Sequence, residues 1–211
     1  MTPRPSGEIL RLVTPDDAEE LAAVWSRNRA FLAPWEPLRD DAFFAPESQR
    51  AGIERDLAEH EAGRMVPFVI SGPDGGIAGR LTLSGVTRGA FQSAAMGYWV
   101  REDLNGRGLA TRAAREAVDH AFATLGLHRL QAETLLHNVA SQMVLRHAGF
   151  APFAVAPDYL RIAGRWQDHL LFHVLAAASE PATAEEQAAA EPPRRCGAAV
   201  TTVTSPLAPS R

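Results

Sequence analysis

An α+β domain, with a mixed and mostly antiparallel sheet flanked by helices, is predicted by three features of the chain. Segments of helical period alternate with β-rich segments. Two of the β-rich segments are joined by GPDGG, a strong hairpin signal, and one strand, glycine loop, helix and strand follow in the order of a parallel crossover. The 211 residues, 46% of them hydrophobic, are enough to bury one sizeable core and too few for several catalytic domains.

The elements are expected in the following order. Alternation over residues 8–13 gives a first strand. A helix follows in TPDDAEELAAVWSRNRA, where Thr14 caps, Pro15 fits the first turn, and Asp16, Asp17, Glu19 and Glu20 favour the positive end of the dipole. Its apolar stripe is Leu21, Val24 and Trp25. FLAPWEPLRDDAFF carries two prolines and reads as a loop, and a second helix over 47–62 stops at Gly63. Strands at 66–71 and 77–86 form the hairpin, TRGAFQS turns the chain, and 94–100 is the next strand. The most strongly patterned helix covers 109–125, with Ala113, Ala117, Ala121 and Leu125 at spacings of four, ahead of Gly126. A strand at 129–135, a short helix at 139–148, and strands at 153–160 and 167–175 around the turn IAGRW complete a domain of residues 8–175. From 176 to 211 the composition shifts to Ala, Pro, Glu, Ser and Thr without an apolar period, so this tail is expected to be disordered.

Charge and composition exclude several functions. A net charge of -4 disfavours a protein that holds nucleic acid through a cationic face, and no sequence-specific contact to nucleic acid is expected. The single cysteine, Cys196, supports neither a disulfide framework nor a zinc cluster, so a reducing, cytoplasmic setting is expected. MTPRPSGEIL lacks a signal-like apolar core and no run of about 18 apolar residues predicts a membrane span. Every one of the 21 basic residues is arginine, which removes lysine as a base or Schiff-base former. The seven histidines, His169 and His173 among them, show no HExxH or Cys/His spacing, so no metal is expected. GxSxG is also missing, which disfavours a triad hydrolase.

NGRGLAT, residues 105–111, sets Gly106 and Gly108 around Arg107 at the mouth of the predicted helix. The unpaired N–H groups there face an approach free of Cβ atoms, which suits a phosphate or pyrophosphate. A tight turn relieved by its glycines is the other reading of the same residues. Neither a Walker loop nor GxGxxG is present.

The wider chain resembles the GNAT acetyltransferase superfamily, whose acetyl-CoA loop Gln/Arg-x-x-Gly-x-Gly/Ala is met by Asn105, Gly106, Arg107, Gly108, Leu109 and Ala110 except at its first position. FLAPWEPLRD, VTRGAFQSAAMGYWV, LHRLQAETLLHN and DYLRIAGRWQDHLL are similar, in order, to the RimJ/RimL-like ribosomal-protein N-terminal alanine acetyltransferases. That resemblance implies the GNAT fold and acetyl-CoA as cosubstrate. It implies that residues 105–111, including Thr111, hold the pyrophosphate, and that Tyr98 and Val100 meet the pantetheine arm and acetyl oxygen through main-chain groups. Asn138 would contact the cofactor and Ser141 would protonate, or hydrogen-bond to, the leaving thiolate; as a plain helix start, Asn138 is an N-cap and Ser141 lies in the first turn. Glu36 and Glu133 are both candidate bases, Glu36 alternatively orienting the substrate's ammonium group, and Trp35 either walls a peptide groove or anchors packing. The acceptor implied is a protein N-terminus, such as that of a ribosomal protein, and the protein a monomer or homodimer with no membrane partner. A small-molecule amine as acceptor, or a non-catalytic CoA-binding module on the ribosome, are the alternatives.

Overall fold

The computed structural model describes residues 7–177, so nearly all of the expected tail, Cys196 included, lies outside the described residues. Strands β1 (Leu10–Leu12), β2 (Val66–Ser71), β3 (Ile77–Thr87), β4 (Ser93–Val100), β5 (Arg129–Leu135), β6 (Ala151–Ile162) and β7 (Arg165–Leu175) form one sheet. Their order is β1-β2-β3-β4-β5-β7-β6, antiparallel throughout except where β4 runs parallel to β5. Helices α1 (Ala18–Arg27), α2 (Arg29–Leu32), α3 (Pro46–Glu61), α4 (Leu109–Asp119) and α5 (Val139–His147) cover it. The chain thus has the predicted mixed sheet and the crossover β4–α4–β5.

Each face of the sheet carries an apolar layer. On one, Leu81, Leu83, Met96, Leu130, Ala132 and Phe172 pack with Ala113, Ala117 and Ala121 of α4 and its extension and Leu145 of α5. The small residues of α4 let that helix lie close to the sheet. On the other face, Leu21 of α1 and Ile53 of α3 pack with Val69, Ile77 and part of Trp99. Burying each such Leu or Ile side chain contributes about 1.5–3 kcal/mol.

Several boundaries differ from the sequence expectation for local reasons. The first helix begins as a 3-10 turn, Pro15–Asp17, in which the Asp17 carboxylate accepts from Thr14 N at 2.7 Å, and the helix breaks at Asn28 into α1 and α2. The predicted loop 31–44 contains the end of α2 and a further 3-10 turn, Asp41–Phe44, capped by the Asp40 side chain. The helix expected over 109–125 is α-helical to Asp119 and widens to a π turn over His120–Thr124. β6 is longer than its prolines suggest, because it is an edge strand where a missing N–H costs no ladder bond. Its irregularities fall at Pro152/Ala154 and Ala156/Leu160. The β6–β7 turn closes tightly on Ala163 and Gly164, both at positive φ, with Ile162 paired to Arg165.

β3 and β4 approach so closely at Gly79 that a Cβ built there would fall inside the contact shell of the Trp99 carbonyl. Gly79→Ala is therefore expected to destabilise the fold by about 1–3 kcal/mol. Chemical denaturation measures this; an unchanged midpoint would mean that β4 can shift freely at Trp99.

Candidate active site

β4 pairs with β5 only from Ser93 to Ala95, opposite Arg129 to Gln131, while its pairing with β3 continues to Val100. From Met96 onward the two parallel strands diverge, and one main-chain edge of β4 is left without a strand partner. Tyr98 and Val100 lie on this open stretch.

The chain then turns through a 3-10 segment, Glu102–Leu104, into the glycine loop. Asn28, 6% exposed, fixes where this turn starts: its Oδ1 accepts from Glu102 N at 2.8 Å and its Nδ2 donates to Val24 O at 2.8 Å. The Asn105 side chain folds back, its Nδ2 donating to Arg101 O and Glu102 O. Gly106 and Gly108 have φ of 72° and 77°, the left-handed region that disfavours side chains, and a Cβ at either would meet open space. Their conformation, and not crowding by the protein, accounts for glycine at both. Gly108 is the N-cap of α4 and offers no side chain, so among the described residues no side-chain cap bond closes the first turn. Arg112 N bonds to Gly108 O at 3.0 Å, which leaves the N–H groups of Leu109, Ala110 and Thr111 at the head of the dipole. Arg107 is exposed beside them.

Across the divergence stands the start of α5. Asn138 is its N-cap, with Oδ1 accepting from Ser141 N at 3.1 Å. The Ser141 Oγ lies 2.8 Å from the Tyr98 hydroxyl, so the two hydroxyls are hydrogen-bonded between β4 and α5. Burial pushes the Tyr98 phenol up to about 12, against the opposing effect of the Ser141 bond, and keeps it a proton donor at neutral pH. Sequence reasoning assigned Tyr98 a main-chain contact alone; its hydroxyl partner is 43 residues away and has no local signal.

A cavity of about 560 Å³ lies on the α1 and α3 face of the sheet, over β3 and β4. Gly97 lines it in mid-strand, where a Cβ would meet nothing within 4 Å. Trp25, Phe43 and Trp99 form an aromatic wall, with Trp25 at 5.2 Å from Phe43 and 4.4 Å from Trp99 between ring centroids. Glu36 also lines the cavity, 3.5 Å from Arg39; burial raises its carboxyl above the usual range, partly offset by Arg39. The loop bearing it is pinned on two sides. Trp35 lies against His137, next to Asn138, with tilted rings 5.5 Å apart between centroids, and Ala163 N of the β6–β7 turn donates to Glu36 O at 2.9 Å.

Glu133, on β5, is also raised by burial, but it is not among the residues lining the cavity; it acts electrostatically on Tyr159 of β6. Among the described residues no group of three or more His, Cys, Asp or Glu is arranged to hold a metal ion. His169 is bonded through Nδ1 to Gln167 O, and His173 receives a hydrogen bond from Arg129. Among the described residues no helix is long and apolar enough to cross a membrane. Asn28, the Tyr98 hydroxyl and the cavity residues Gly97, Arg39, Arg55, Asp56 and Arg80 were not singled out by sequence. Of these only Gly97, a glycine inside a strand pattern, carries a readable signal of close approach.

A divergent strand pair, an uncapped glycine-opened helix and a hydroxyl pair fit a long thiol-bearing diphosphate. The chain matches the model of the "Acetyltransferase (GNAT) domain" over residues 9–151. It is 35% identical over 164 residues to the [ribosomal protein uS5]-alanine N-acetyltransferase of Escherichia coli, covering 77% of this chain and 84% of that protein. Among solved structures, Mycobacterium smegmatis RimJ in complex with CoA-disulfide superposes with a TM-score of 0.76 at 38% identity, over 79% of this chain and 81% of that one. The ribosomal-protein-S5-alanine acetyltransferase of Vibrio fischeri does so with a TM-score of 0.77 at 33% identity, over 82% and 94%.

Proposed function

The chain belongs to the GNAT family of acetyl-CoA-dependent N-acetyltransferases, and from that premise we propose that its acceptor is the α-amino group of a protein N-terminus, that of a ribosomal protein, in the cytoplasm. The observation that carries the reading is the place of Tyr98: it lines the cavity, and its hydroxyl meets Ser141 across the diverging strands. One residue therefore joins the groove suited to the acetyl donor and the cavity suited to the acceptor. The relatives described above support the ribosomal assignment.

Bound acetyl-CoA supplies an activated acyl carbon and a thiolate leaving group. The N–H groups of residues 106 to 111 hold the diphosphate, and the open main-chain edge of β4 at Tyr98 and Val100 receives the arm and polarises the acyl oxygen. One well-aimed main-chain donor of that kind lowers a barrier by about 3 kcal/mol. Ser141 donates a proton toward the departing sulfur, while the protonated Tyr98 phenol donates to Ser141. Glu36, a carboxylate facing the cavity, accepts the proton lost by the attacking amine. That task is light, because an α-amine with a pKa of about 7.7–8.0 is already partly neutral at pH 7.

Two groups must therefore lose protons before reaction, Glu36 and the amine. In log kcat/KM, a slope of two is expected at low pH, falling to one once Glu36 is ionised. Burial sets that break above the ordinary carboxylate range. Glu36→Gln should lower kcat/KM and leave slope one over the whole acid side; a variant that keeps both slopes removes Glu36 as the base. The acceptor class is tested with a panel of N-terminal-alanine peptides beside polyamines, aminoglycosides and free amino acids. Peptide turnover is expected, and turnover of small amines alone would overturn the ribosomal reading.

A further inference from the structure

Three arginines, Arg39, Arg55 and Arg80, and two acids, Glu36 and Asp56, line the cavity beside Gly97. Arg39 is 3.5 Å from Glu36, and Arg80 Nη2 donates to Asp56 at 2.9 Å. Arg55 has no ion-pair partner among the described residues, and its Nη2 lies over Gly52 of the same helix. Arg80 Nη2 is held by Asp56 and its Nε, though without a hydrogen-bond partner, is buried out of reach of an occupant, so Arg80 contributes its positive charge to this wall. Three guanidinium groups against two carboxylates leave the lining with an excess of positive charge, which favours an occupant that brings an anionic oxygen.

We propose that the cavity selects acceptors with a carboxylate side chain within the first few residues after the reacting amine, seated between Arg55 and Arg80. This rests on the reading of the protein as an N-terminal acetyltransferase and names the chemistry of its substrate. The amine end of the acceptor goes to Glu36, and the chain passes over Gly97, where the missing side chain leaves room for a backbone. The next residues then meet the arginine wall of α3 and β3. A cavity of about 560 Å³ is within the range that encloses a ligand of a few residues. Asp56 orients Arg80, and the aromatic wall of Trp25, Phe43 and Trp99 excludes water from one side, which strengthens the charge recognition. The same excess of arginine disfavours a polyamine, whose every nitrogen is cationic.

The test uses the full chain, saturating acetyl-CoA and N-terminal-alanine hexapeptides that carry Glu, Gln or Lys in turn at positions two, three and four. At one of these positions kcat/KM for Glu is expected to exceed that for Gln by about tenfold, and that for Lys by more. Calorimetry with the CoA-loaded protein should give the same order of peptide affinities. In Arg55→Ala the Glu-to-Gln ratio falls toward one, and in Arg55→Glu the Lys peptide overtakes the Glu peptide. Arg55 is exposed, so both variants should fold, and thermal melting confirms it. Equal rates for Glu and Gln at all positions in the unaltered protein would overturn the carboxylate selectivity alone. Absence of turnover with every peptide would overturn the N-terminal reading and this inference with it.

Discussion

Gly108→Val is expected to weaken acetyl-CoA binding by at least about 100-fold, or about 2.7 kcal/mol. The backbone at 108 sits at a φ of 77°, where a β-branched side chain is strained. Forced back to negative φ, the residue would rotate the N–H groups of the first turn of α4 away from a common target. Kept at positive φ, its side chain would occupy the open space from which an anion approaches. Either response damages the same interaction. The fold should lose about 1–2 kcal/mol to that backbone strain and nothing to crowding, because the added Cβ meets no protein atom. Calorimetric titration with CoA, beside a thermal melt, separates the two. Unchanged affinity in a folded variant would remove the glycine loop from the donor site.

Ser141→Ala is expected to lower kcat by about 100-fold with KM for acetyl-CoA little changed. General acid catalysis contributes about 10²- to 10⁴-fold, and a thiolate of modest basicity calls for the lower end. Tyr98→Phe should cost a substantial part of the same factor. Its phenol, held as a donor by a pKa of about 12, keeps the Ser141 oxygen supplied with a hydrogen bond as its own proton leaves. Since the two hydroxyls act as one unit, the double variant should be no slower than Ser141→Ala. Full additivity in the cycle, measured under saturating substrates, would show that the hydroxyls act independently. A Tyr98→Phe protein with unaltered kcat would confine the tyrosine to packing.

Much of the fold was legible because its determinants are local. GPDGG marked the hairpin, and the strand at 129–135 coincides with its predicted bounds because an alternating run ends at the loop before Asn138. The alanine spacing after residue 109 marked α4, although the π turn at His120–Thr124 left no trace in that pattern. The edge strand β6 runs from Ala151 to Ile162, beyond the expected 153–160, because its length is set by pairing to β7, a neighbour that the sequence does not name. The site divides in the same way. The glycine loop and the cap Asn138 are contiguous motifs and could be read directly. The Tyr98–Ser141 pair, the Asn28 tether to Glu102 and the arginine wall join residues far apart in the chain, and only the folded sheet brings them together. Between the candidate bases, sequence offered no way to choose, whereas the cavity includes Glu36 and not Glu133.

The most direct measurement is a crystal structure of the protein with acetyl-CoA bound. The diphosphate oxygens should lie within about 3 Å of main-chain N–H groups between Gly106 and Thr111, with the sulfur beside Ser141 Oγ and the acetyl group at the edge of β4 facing Gly97. A cofactor bound away from the α4 N-terminus, or a sulfur remote from both Ser141 and the cavity, would contradict the account.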